Sequence, residues 1–223
     1  MANEQTPLER LRITFSKGAA LKYISHLDLA RTWERVFRRA GLPVAYSQGF
    51  NPRPRFQIAA ALPVGVSGRS EMLDVWLTES MVPSEATSRL RAALPSGLEV
   101  LDIEEVNLRS PSLQSQMRAA VYRASVRSPE PSEAICQRVS ALLEMPNLPR
   151  RRQHKGRQQT YDLRPFIQSI EVELGGEGEH VLTMRLQASP EGAGRPDEVL
   201  DVLGLSLAGY VVERTSLCFE FDK

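Results

Sequence analysis

The chain has 223 residues, 42 % hydrophobic and 25 % charged, with a formal net charge of +1, which is ample apolar material for a core. No apolar run approaches the roughly 18 residues of a membrane span, and the start "MANEQTPLER" lacks the basic-then-apolar form of a signal peptide, so a cytoplasmic protein is expected. Cys136 and Cys218 lie too far apart in the chain for a CxxC knuckle or an iron–sulfur cluster. They read as buried small hydrophobes of a reducing compartment, and neither a metal nor a cofactor is expected.

Length alone allows one domain or two; the order of elements decides for two. "RLRITFSKG" alternates, with Leu11, Ile13 and Phe15 on one side, and predicts a strand. "SHLDLARTWERVFRRAG" predicts a helix that Ser25 caps with Asp28 as the capping-box acid, and that Gly41 and Pro43 end. Leu29, Trp33, Phe37 and Ala40 recur at helical spacing as its buried stripe. "FQIAAALPVG" and "SEMLDVWLTE" predict two strands, "SEATSRLRAALPSG" a helix and "LEVLDIEEVNL" a strand. The polar, proline-centred "RSPSLQSQM" predicts a linker, after which the order repeats. "AAVYRASVRS" is a strand, "PSEAICQRVSALLEM" a helix, "PFIQSIEVELGG" and "EHVLTMRLQAS" a hairpin pair, "RPDEVLDVLGL" a helix and "GYVVERTSLCFEF" a strand. The expected fold class is α+β: two tandem ferredoxin-like βαββαβ sandwiches over residues 1–110 and 119–223, a linker at 111–118, and a basic insertion near 148–164.

The near-zero sum hides a segregation of charge. Residues 10–56 carry ten Lys or Arg (Arg10, Arg12, Lys17, Lys22, Arg31, Arg35, Arg38, Arg39, Arg53 and Arg55) against Asp28 and Glu34. "RRRQHKGRQ", residues 150–158, adds five cations and no acid. Such a distribution focuses positive potential on one surface.

The most informative stretch is "YSQGFNPRPRF", residues 46–56. Pro52 and Pro54 fix their own φ and push Asn51 and Arg53 towards extended geometry, so Arg53 and Arg55 project in a fixed relation. Gly49 lets the chain turn, and Tyr46, Phe50 and Phe56 either anchor the loop or offer a stacking face. Arginine forks on a rigid support suit phosphate, and an aromatic beside them suits a base. The bland counterpart is a packed connection whose arginines meet solvent or Asp28. Arg31, Arg35 and Arg38, with Arg39 adjacent, form one basic helix face, which alone reads as solvated with Glu34 paired to Arg38. In the second cationic segment Gly156 suggests a hairpin tip, Arg150, Arg151, Arg152, Lys155 and Arg157 are candidate phosphate contacts, and Tyr161 is a candidate stack; a solvated loop is the alternative. "KYISHLD" places Tyr23, His26 and Asp28 where a strand enters a helix. His26 is a candidate general acid or base assisted by Tyr23 or Lys22, or simply a helix-capping histidine. No GxxxxGK[ST], GxGxxG after a strand, HExxH or CxxxCxxC occurs, so nucleotide hydrolysis, zinc chemistry and resident radical chemistry lack support.

The string "HLD…R…RRAGLP…QGFNPRP" within residues 23–75, with "YDLRP" after a basic run, resembles the radical SAM-linked proteins of bacteria, a domain of unknown function. Such domains are fused to, or encoded beside, a radical S-adenosylmethionine enzyme, so the resemblance implies a role as partner of a separate enzyme and supplies no catalytic residue. A looser likeness holds to the RAMP superfamily of CRISPR RNA-processing proteins, also tandem ferredoxin-like folds. Some of those cut RNA without metal, with a histidine near the first helix where His26 stands. The glycine-rich loop near their C-terminus is poorly matched here. The expectation is therefore a non-enzymatic RNA-binding adaptor of the tRNA or rRNA class, holding RNA in a cationic groove between the halves and acting with a radical SAM enzyme. A metal-independent endoribonuclease using His26 and a pure protein-interaction module are the alternatives.

Overall fold

The computed structural model describes residues 7–48, 50–154, 157–174, 178–207 and 209–220, with backbone alone at 152–154, 157 and 174. The chain divides into two compact units, Met1–Met117 and Arg118–Lys223.

In the first unit β1 (Glu9–Lys17), α1 (His26–Arg39), β2 (Phe56–Ile58), β3 (Val66–Leu77), α2 (Pro83–Ala93) and β4 (Leu98–Glu105) follow in order. The strands stand side by side as β2-β3-β1-β4, every pair antiparallel, which is the ferredoxin-like arrangement. Period-2 alternation sends Leu11, Ile13 and Phe15 of β1 and Leu73, Val75 and Leu77 of β3 to the helix side, all fully buried. Against them α1 lays Leu29, Trp33, Val36 and Phe37. Phe15 meets Trp33 edge-on at 4.9 Å, and Trp33 meets Phe37 at 5.5 Å. Ser25 Oγ caps α1 by accepting from the Asp28 amide at 3.2 Å. Gly41, at φ 63°, ends the helix in a conformation that disfavours a side chain.

Two expectations change here. The strand expected over 56–65 stops at Ile58: the Ala59 amide still reaches Met72 O at 2.9 Å, but Pro63 and Gly65 (φ 90°) then turn the chain back, and the Gly65 amide bonds Lys22 O at 2.8 Å. The expected linker contains a helical turn, α3 (Leu113–Gln116), capped by Ser112, with Leu113 fully buried and Gln114 Nε2 donating to Ile58 O at 3.1 Å.

The other face of β1 and β3 carries charge. Arg10 pairs across the ladder with Trp76, and Arg12 with Asp74. Asp74 is 0 % exposed and Arg10 1 %. Arg10 Nε donates to Asp74 Oδ2 at 3.0 Å and its Nη2 reaches the same oxygen, while Arg12 Nε donates to Oδ1 at 3.0 Å. The remaining Arg10 donors reach Ser110 O at 2.6 Å and Pro111 O at 3.0 Å, which fastens the segment after β4 to the sheet. Arg10 and Arg12 are thus corrected from surface cations to internal ones. Lys17, 1 % exposed, joins them.

The second unit runs β5 (Met117–Arg127), α4 (Ser132–Glu144), β6 (Pro149–His154), β7 (Arg157–Asp162), β8 (Ile167–Leu174), β9 (Glu179–Ser189), β10 (Gly192–Ala193), α5 (Pro196–Val202) and β11 (Tyr210–Phe219). Its strand order, β8-β9-β5-β11, repeats that of the first unit, with β10 also on β9. α4 contributes Ile135, Val139 and Leu142 to the core, and α5 contributes Val199 and Leu200. The basic insertion forms the β6–β7 hairpin, in which Arg150 stands opposite Tyr161 and His154 opposite Arg157. Gly156, expected at its tip, lies outside the described residues. Two polar contacts dock the hairpin on α5: Arg150 pairs with Asp201, and Tyr161 Oη donates to Glu198. The Arg150 guanidinium, through its hydrogen bond and then its charge, holds the Asp201 carboxyl below its ordinary value.

Cys136 is exposed and Cys218 half-buried, so neither is the core hydrophobe expected. Among the described residues no helix is long and apolar enough to cross a membrane.

Removing Asp74 leaves the buried Arg10 guanidinium without its carboxylate and takes from Arg12 its nearer acid, so Asp74→Ala should cost about 3–5 kcal/mol in urea unfolding; an unchanged midpoint would refute the buried network. Because the folded pKa of Asp201 is lowered, the Arg150–Asp201 pair is complete above the ordinary carboxyl value of about 3.9 and is lost as pH falls through the lower folded value. Carbon-detected titration should therefore find Asp201 ionising at higher pH in Arg150→Ala than in the native chain, and superimposable curves would disprove the pairing.

Candidate nucleic-acid interface

The proline-rich stretch reads in sequence as poor in backbone hydrogen bonds, yet it folds as a short two-stranded arm. Tyr46 bridges Pro54, the Arg55 amide donates to Ala45 O at 2.7 Å, and the Ser47 amide donates to Arg53 O at 2.8 Å. The Arg53 amide finds Ser47 Oγ at 3.0 Å. At its root the arm joins the edge of β3, through the Ala45 amide to Trp76 O at 2.8 Å and the Trp76 amide to Arg55 O at 3.0 Å. Prolines remove donors only where no ladder partner needs them.

That geometry sorts the aromatics. Phe56 is the anchor, edge-on to Phe37 of α1 at 5.4 Å. Tyr46 is 44 % exposed, and Phe50 at the tip is 106 % exposed, with Asn51 and Pro52 exposed beside it. Gly49 lies outside the described residues. Arg53 and Arg55 are alternate residues of an extended segment, so both leave the same face, about 6.6 Å apart along the strand. The Arg55 guanidinium stacks over the Trp76 ring at 4.9 Å, and Arg10 lies over the same ring at 5.0 Å. Among the described residues neither Arg53 nor Arg55 makes an ion pair.

α1 supplies the second set. Arg31, Arg35, Arg38 and Arg39 are all exposed. Arg31 pairs with Asp28 at 3.3 Å. The Ser25 hydroxyl, and after it the Arg31 charge, lower the Asp28 carboxyl from its ordinary value. Among the described residues Arg35, Arg38 and Arg39 make no ion pair, and the expected Glu34–Arg38 pair is not formed. A hollow of about 470 Å³ opens beside Arg39, floored by Ala40, Ala92, Ala93 and Leu94 and walled by Arg89.

The remaining candidates separate. Tyr23 is 72 % exposed with the Lys22 ammonium 5.0 Å from its ring, and His26 opens α1 half-buried. His180 is buried in the second unit, where Ser132 Oγ lies 3.0 Å from Nδ1 and Ser128 O 3.3 Å from Nε2. In the hairpin only Arg151 is an exposed guanidinium that makes no ion pair among the described residues. Arg150 and Tyr161, also expected as ligand contacts, meet the acids of α5 within the chain, Arg150 pairing with Asp201 and Tyr161 Oη donating to Glu198. Arg152 and Arg157 occupy β6 and β7, their side chains outside the described set, and Lys155 lies outside the described residues altogether. Sequence reasoning misses Trp76, the platform under Arg55. Its signal is the alternation in "LDVWL", which sets Asp74 and Trp76 apart from the core-facing Leu73, Val75 and Leu77.

Among solved structures the chain is similar to one in the crystal structure of a Cbf5–Nop10–Gar1 complex, with TM-score 0.52 and 13 % identity over 93 % of this chain and 48 % of that one. It is similar also to one in the structure of an H/ACA RNP bound to a substrate RNA containing 2'-deoxyuridine, with TM-score 0.46 and 12 % identity over 93 % of this chain and 47 % of that one. The chain therefore spans about half the length of these neighbours, and at such identity the first likeness shows the fold alone. No curated protein matches it. The family model described as "Uncharacterized protein conserved in bacteria (DUF2344)" matches residues 10–196, and the chain belongs to that family.

Proposed function

We propose that the protein is a non-enzymatic RNA-binding adaptor of the tRNA or rRNA class that acts with a radical SAM enzyme. One observation carries the RNA half: Arg35, Arg38 and Arg39 on α1, and Arg53 and Arg55 on the arm, make no ion pair among the described residues. Guanidinium groups held on regular backbone and left without carboxylates are phosphate contacts in waiting. Arg31 joins them once an anion displaces Asp28, a surface partner worth little. Arg151 and its neighbours Arg152, Lys155 and Arg157 extend the basic set in the second unit. Tyr46 and Phe50 position or stack. The partner half rests on the resemblance to radical SAM-linked proteins, and a pull-down of that enzyme with and without RNA tests it.

Filter binding of a tRNA across a salt series tests the RNA half. Affinity should fall steeply with salt, and Arg53→Ala/Arg55→Ala should flatten the logarithmic slope by about 1.4–1.8, between the single-strand and duplex values for two lost phosphate contacts. Weak, salt-independent binding would remove the proposal.

A further inference from the structure

Resting on the RNA-binding assignment, we infer that the arm tip is a stacking site for an unpaired nucleotide, so that the preferred RNA carries a single-stranded or bulged base at this point. Phe50 is the observation. A phenyl ring at 106 % exposure contributes nothing to the core, and it stands at the end of an arm whose root is pinned by backbone bonds and by Phe56 on Phe37. The ring therefore stands in solvent beyond a hydrogen-bonded base that closes at Ser47 and Arg53, with Asn51 and Pro52 exposed beside it.

The cations behind the ring select among RNA forms. Arg53 and Arg55 follow the bend at Phe50 and Asn51, and as alternate residues around the Tyr46–Pro54 bridge they project from one face, so they track a single backbone running along the arm. A-form duplexes hide base faces within the stack and present a major groove too deep and narrow for side chains to read. An unpaired base offers its face to an aromatic while its own phosphates meet the adjacent arginines. Duplex RNA satisfies the arginines and leaves Phe50 in water; a splayed nucleotide satisfies both.

The test uses the full chain and three probes of one sequence: a short single-stranded RNA, its blunt duplex, and that duplex with one unpaired nucleotide. Fluorescence anisotropy should show the single strand and the bulged duplex binding more tightly than the blunt duplex. Phe50→Ala should weaken the first two by roughly 5- to 150-fold, leave the blunt duplex unchanged, and keep the salt slope of the native chain. Phe50→Trp should restore the preference, and 2-aminopurine at the unpaired position should be quenched by the native chain and not by Phe50→Ala. Because the Phe50 ring is fully exposed, both variants should melt with the native chain. Equal affinity for all three probes, or an unaltered preference in Phe50→Ala, overturns the stacking site and leaves the tip as a protein contact, while steep salt dependence in the same titrations keeps the RNA-binding assignment. No binding to any probe sinks both.

Discussion

The Asp74 carboxylate is the contact on which the first unit's polar face depends. Two guanidinium groups taken out of water are tolerable only with a counter-charge and filled donors, since effective desolvation costs several kcal/mol for each ion. Asp74 gives one oxygen to Arg10 and the other mainly to Arg12, and Glu104 stands 3.8 Å from Arg12 as a weaker second acid. Arg10 then has donors to spare, and they fasten Ser110 and Pro111. Its guanidinium also lies over Trp76, whose ring carries Arg55. A buried charge near the start of the chain thereby fixes the platform under an exposed charge on the arm.

The two basic segments use their arginines in opposite ways. In the arm, backbone ladder bonds and an aromatic contact supply rigidity, so Arg53 and Arg55 are not needed for structure. In the hairpin, Arg150 and Tyr161 are the structural groups, turned towards the acids of α5. A count of cations along the chain treats the segments alike. Pairing separates them, because a guanidinium bonded to a carboxylate of its own chain adds less to the field outside than one that is not.

What was legible in the sequence was local. Alternation in "RLRITF" and "LDVWL" gives the strands and their core faces; Ser25 with Asp28 gives the start of α1; the stripe of Leu29, Trp33 and Phe37 gives its buried side. The repeated element order gives the α+β, tandem ferredoxin-like class. The fate of each arginine was not legible, because its partner is remote: Asp74 is 64 residues from Arg10, and Asp201 is 51 from Arg150. The contacts made by the expected linker were hidden for the same reason. Its polar composition is real, but Leu113 is buried and two carbonyls serve Arg10, contacts that only the folded sheet provides.

Rigidity and charge do separate work on the arm. Electrostatic attraction to phosphate is long-ranged, falls with salt and is indifferent to sequence, so it governs encounter more than fit. Stacking is short-ranged, insensitive to salt and demands an accessible base face. A floppy loop with the same residues would gain the first and lose much of the second, because ordering each side chain and its backbone opposes binding. Here the ladder from Ala45 to Ser47 against Arg53 to Arg55 has already ordered the backbone. The two prolines, which deprive a loop of donors, suit this arm because Pro52 lies at the exposed tip and Pro54 occupies the bridge opposite Tyr46 while the flanking Arg53 and Arg55 amides close the ladder. Stiffness at the base, arginines that make no ion pair among the described residues and an unburied ring are thus consequences of one backbone arrangement rather than three independent features.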